Sequence, residues 1–104
     1  MTTTVVKDGE LNHAIATALG LKLAPSCDCH TEDGLLRNWA QSMDACLRDL
    51  VPEAMARGWW LLVMGADDGG FRVAFRGADD DCERYAIDDS ACRATCLAWL
   101  GTLP

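Results

Sequence analysis

The chain has 104 residues, half of them apolar and 24% charged, with 16 acidic and 9 basic side chains giving a net charge of −7. That size supports one modest core and not two, and the mix is that of a folded globular protein, not a disordered one. The negative balance argues against direct binding to nucleic acid, which relies on Lys and Arg to neutralise phosphates.

The longest apolar run, Trp59 to Met64, falls far short of the roughly 18–20 residues that span a bilayer, so no membrane association is expected. The opening MTTTVVKDGE has neither the basic region nor the apolar stretch of an export signal, which predicts a cytoplasmic protein. In a reducing compartment the six cysteines are expected to remain thiols and not form a disulfide framework.

Asp8 is placed to cap a first helix over about residues 9–19. Leu11, Ile15, Ala18 and Leu19 recur at helical spacing, His13 falls on the opposite face, and Gly20 is a natural stop. Residues 21–36 hold Pro25, a polar cluster and no sustained periodicity, and read as an irregular loop. A second helix is predicted to start between Gly34 and Asn38. Its stripe of Trp39, Met43, Cys46, Leu47, Leu50 and Ala54 runs on to Arg57. Pro52 removes an amide donor and biases Val51 away from helical angles, but the stripe keeps its phase, so one kinked helix ending at Gly58 is expected.

Trp59 to Met64 is apolar at every position and reads as a strand covered on both faces or nearly so. The turn Asp67-Asp68-Gly69-Gly70 leads into a second strand. There Phe71, Val73 and Phe75 should face inward, and Arg72, Ala74 and Arg76 outward. A short third strand around Tyr85 to Ile87 is followed by a helix capped by Asp88, Asp89 or Ser90, with Cys92, Thr95, Cys96 and Trp99 on one face. The predicted fold is α+β: one domain over residues 1–104, with a two- to three-stranded antiparallel sheet packed by three helices.

Three segments carry a likeness to a known family. They are ELNHAIATALGLK, the helix end ARGWW with the strand, hairpin and strand after it, and the closing DDSACRATCLAWL. In these the chain resembles the phage ABA-sandwich family of small phage and prophage proteins. The resemblance implies a mobile-element origin and compact α/β packing, and it brings no catalytic residues to transfer. The cysteine-rich loop, Pro52 and the run Asp79-Asp80-Asp81 depart from the family pattern.

Two clusters are candidate sites. Cys27, Cys29 and His30 offer thiolate and imidazole ligands suited to zinc, with Cys82 as a distant fourth; the simpler alternative is an unliganded loop. Half of the acidic residues lie between Asp67 and Asp89. Asp79, Asp80, Asp81, Glu83, Asp88 and Asp89 form a candidate partner-binding surface, against the simpler alternative of solvated turns. Cys46, Cys92 and Cys96 read as a thiol-rich core. Of the adjacent Trp59 and Trp60, one should enter the core, while the other packs under a helix or lies exposed as a partner-binding anchor. No nucleophile elbow, phosphate loop or HExxH is present, so no enzyme is expected.

These features predict a phage or prophage accessory protein that acts by binding another protein. Its concrete form is an anti-CRISPR-type inhibitor whose acidic surface occupies the basic groove of a nucleic-acid-handling host complex. The alternatives are a small zinc-binding module and an oligomeric structural protein, with a homodimer as its simplest state.

Overall fold

The computed structural model describes residues 7–23, 37–67, 70–77 and 83–103. Among them, helix α1 spans Asp8–Leu19, with Asp8 and Glu10 in the first turn, where acids complement the helix dipole. Lys7, not Asp8, holds the cap position, and no side chain caps the helix. The buried face carries Leu11, Asn12, Ile15 and Ala16, while Ala18 is exposed. Asn12 explains this rotation. Its side chain donates to Asn38 Oδ1 at 2.9 Å and accepts from the Ala40 amide at 3.1 Å, turning that side of α1 into the protein. Gly20 closes the helix at φ 75°, a left-handed conformation that glycine adopts without strain.

Helix α2 starts later than the periodicity predicts. Residues 37–42 are turn and coil, and Ser42 caps the helix by accepting from the Ala45 amide at 3.2 Å. Trp39 is fully buried, but it lies ahead of the helix and not on it. The helix then runs through Met43–Ala45, a π-helical turn Cys46–Leu50 and a closing segment Val51–Ala56.

Pro52 accounts for the wide turn. Its ring removes a donor and crowds the carbonyl four residues back, and widening the preceding turn relieves both. The Val51 amide bonds to the Cys46 carbonyl, five residues earlier. Val51 itself is helical, at φ −64° and ψ −48°, so the expected displacement from helical angles is absent. The wide turn also preserves the stripe. In a plain α-helix a four-residue repeat drifts by about 40° per step. The extra residue in the π turn takes that drift back, and Cys46, Leu50 and Ala54 are all fully buried. Leu47 points away and is exposed.

The strands β1 (Trp59–Asp67), β2 (Gly70–Gly77) and β3 (Glu83–Asp88) form an antiparallel sheet in that order, with β2 central. β1 carries a bulge, because Leu61 pairs with Phe75 and Val63 with Ala74, leaving Leu62 as the extra residue. Ser90 then caps helix α3 (Ala91–Gly101), its hydroxyl accepting from the Arg93 amide at 3.3 Å. The fold class is α+β, as predicted. All three helices contribute to one core on one face of the sheet, around Trp39, Trp99, Phe75, Leu50, Val73 and Ile15.

Two indoles in that core find carboxylate acceptors on α2. Trp39 Nε1 donates to Asp49 at 2.9 Å, and Trp99 Nε1 donates to Glu53 at 3.0 Å. Each carboxylate is also held by arginine: Asp49 by Arg37 and Arg48, Glu53 by Arg57. A buried indole N–H left unpaired would cost about 1–3 kcal/mol, so these acids make it possible to bury tryptophan whole.

Candidate functional site

The register of the sheet sorts its residues into two faces. Val73 and Phe75 point to the helices and are fully buried. Phe71 shares that face but sits at its end, opposite Asp88, and remains 40% exposed. The opposite face brings together Trp60 with Arg76 and Glu83, Ala74 with Tyr85, and Arg72 with Ile87. On this face Trp60 is 52% exposed, Tyr85 58% and Ile87 45%. Of the two adjacent tryptophans Trp60 is therefore the exposed one, and β1 is not covered on both faces at that position. Its neighbour Trp59 packs partly buried against the core, beneath the Arg84 guanidinium at 5.8 Å.

Ala74 shows how tightly this outer face is built. It points away from the helices, as predicted, yet it is fully buried by its neighbours. Arg72 lies over the Tyr85 ring with its guanidinium carbon 4.6 Å from the centroid, and it donates to Glu83 Oε1 at 3.2 Å. Cation–π stacking and an ion pair thus fix one arginine, one tyrosine and one glutamate in place on a strand framework. Large apolar surface held rigid next to arginine is the composition found at the centre of protein interfaces.

The predicted acidic surface is divided by the structure. Glu83 is committed to Arg72. Asp88 accepts from the Ser90 amide at 3.0 Å and from Arg93 Nε at 3.3 Å, so it ties β3 to the first turn of α3. Arg93 also pairs with Asp8, extending the link to the start of α1. The Asp8 carboxyl is held below its usual range by a hydrogen bond from Gln41, and Arg93 adds to this against the effect of burial. Asp89 is exposed. Asp79, Asp80 and Asp81 lie outside the described residues.

Cys27, Cys29, His30 and Cys82 also lie outside the described residues. Among the described residues no three His, Cys, Asp or Glu side chains come together to hold a metal ion. Cys46 and Cys96 are buried and Cys92 is partly buried, at the junction of α2 and α3. Among the described residues no helix is long and apolar enough to cross a membrane.

No family model, curated protein or solved structure matches this chain. The functional reading therefore rests on the geometry of its own surfaces. Sequence reasoning narrowed the exposed tryptophan to Trp59 or Trp60 but missed Tyr85 and Ile87. The signal available was the alternation along β3, where Arg84, Ala86 and Asp88 share the helix-side face and Tyr85 and Ile87 the other.

Proposed function

We propose that this chain is a non-enzymatic binding protein that docks a protein partner on the outer face of its sheet. The observation that carries the reading is the exposure of Trp60, Tyr85 and Ile87 together on that face, with Arg72 stacked rigidly on Tyr85. Exposed aromatics grouped on a rigid strand framework lose little side-chain entropy on binding and supply the anchor residues that dominate affinity. The pairing of Glu83 with Arg72 and of Asp88 with Arg93 shifts the centre of the proposed surface from the acidic residues to the outer sheet face.

The narrower form of the proposal is an inhibitor of a host defence complex, of phage or prophage origin and acting in the host cytoplasm. It is supported by the net charge of −7 and by the resemblance to the phage ABA-sandwich family. In that form the net negative charge, exposed Asp89 included, steers the chain towards a basic partner, while the sheet face provides the contact.

The test compares immobilised wild-type chain with the variant Trp60→Ala/Tyr85→Ala in the same host lysate. A partner retained by the wild type and absent from the variant supports the docking face. Equal capture by both would remove it. Concentration-dependent dimerisation that the double substitution abolishes would assign the same face to a second copy of the chain.

A further inference from the structure

The junction of α2 and α3 holds two sulfurs in direct contact. Cys46 and Cys96 are fully buried, and their Sγ atoms lie 3.9 Å apart. The Cys46 thiol donates to the Trp39 carbonyl at 3.1 Å, and either sulfur can donate across the contact with Cys96. Cys92, one turn earlier on α3, is partly buried, and its carbonyl lies 4.0 Å from the Cys46 sulfur. The hydrogen bond with Cys46 and burial together push the Cys96 thiol far above the usual thiol range, so it is neutral.

What this pair does depends on charge. A metal held by two thiolates at this depth would leave net negative charge in an apolar core, at heavy desolvation cost. A disulfide is neutral and needs no third ligand. The sulfurs have to close from 3.9 Å to about 2.05 Å, roughly 1 Å of movement for each, which is within reach of small side-chain rotations.

We propose that Cys46 and Cys96 form a reversible disulfide that staples the π-helical turn of α2 to α3 when the chain meets a low-molecular-weight disulfide such as glutathione disulfide. The bond between Cys46 Sγ and Cys96 Sγ forms as the sulfur–sulfur bond of the oxidant breaks. Two electrons and the two thiol protons pass to the oxidant, which leaves as two thiols. Because the attacking species is a thiolate and both sulfurs are fully buried, the reaction runs through local opening of the start of α3 and is slow. The bridge joins residues 50 apart in sequence, so it constrains the unfolded chain strongly.

Trypsin separates the three thiols of this region. Cleavage after Arg37, Arg48, Arg84 and Arg93 places Cys46 on peptide 38–48, Cys92 on 85–93 and Cys96 on 94–104. Native full-length chain is incubated with excess glutathione disulfide, remaining thiols are alkylated, and the digest is analysed by mass spectrometry. The expected product is peptide 38–48 joined to 94–104, released by dithiothreitol, with a rise in Tm of about 5–15 °C before reduction. Cys96→Ala, which keeps a small apolar side chain in place, should fold and show neither the linked peptide nor the rise. Recovery of peptide 38–48 with Cys46 alkylated, or joined to a peptide other than 94–104, overturns the proposal.

Discussion

Trp99 donates its indole N–H to Glu53 at 3.0 Å, through a carboxylate that Arg57 grips with two nitrogens at 2.7 and 2.8 Å. Arg57 in turn donates to the carbonyl and hydroxyl of Thr102, so one carboxylate organises the end of α2 against the end of α3. Glu53→Ala strands the buried indole and takes one of the partners of Arg57, and a loss of about 1–3 kcal/mol is expected in urea unfolding. Glu53→Gln keeps an acceptor for Trp99 and should cost roughly half as much. Equal losses for the two variants would show that the indole contact contributes little.

Acid should unfold the protein through the same groups. The Arg57 hydrogen bonds lower the Glu53 carboxyl, and the hydrogen bond from Gln41 lowers that of Asp8. For Asp49 burial pushes upward, but hydrogen bonds from Arg48 and Trp39 and the charges of Arg48 and Arg37 outweigh it, leaving the carboxyl low. A carboxyl whose folded pKa lies below its unfolded value contributes stability above the unfolded value and loses it as pH falls through the folded one. Stability should therefore be level from about pH 5 to 7 and decline from about pH 4 downwards. Glu53→Gln should flatten part of that decline, as urea midpoints measured across the range would show.

Gly70 opens β2 at φ 126°, where a Cβ would stand 2.3 Å from the carbonyl oxygen of Asp88. The obstacle is backbone of the neighbouring strand, so no side-chain rotation relieves it. Gly70→Ala should cost about 2–4 kcal/mol and loosen the pairing of β2 with the end of β3. Amide exchange at Phe71 and Asp88 would report that loosening directly. A variant as stable as the wild type would show that the close approach is not required.

Much of the scaffold was legible in the sequence, because strands and helices announce themselves through the spacing of apolar residues. The residue pattern marks Gly20 and Gly58 as helix stops, and both have positive φ. The start of α2 is not legible, because Trp39 and Ala40 are as buried as helix residues without belonging to a helix, and an apolar pattern alone does not separate the two. The π turn left no local mark beyond Pro52, since it depends on how the chain accommodates that ring. The surface was harder to read. The acids looked like one patch in sequence, but Glu83 and Asp88 turn to arginines brought in by β2 and α3, which only the register reveals. Trp59 and Trp60 were separable only once β1 was known to be an edge strand with helices on one side.

Removing the outer aromatics should leave the fold intact. Trp60 is 52% exposed and Tyr85 58%, so roughly half of each residue is already in solvent, and Trp60→Ala/Tyr85→Ala should lower stability by about 1–3 kcal/mol with the unfolding transition still cooperative. A larger loss in urea unfolding would mean that the Arg72–Tyr85–Glu83 cluster is structural and not a docking surface.

The most direct measurement is the affinity of the captured partner for three chains: wild type, Trp60→Ala/Tyr85→Ala and Asp89→Lys. With the outer sheet face as the contact, the aromatic variant should bind at least tenfold more weakly, a loss of about 1.4 kcal/mol or more, while Asp89→Lys changes affinity by no more than about threefold. Wild-type affinity in the aromatic variant, with binding lost in Asp89→Lys, would contradict the sheet face and return the site to the acidic residues.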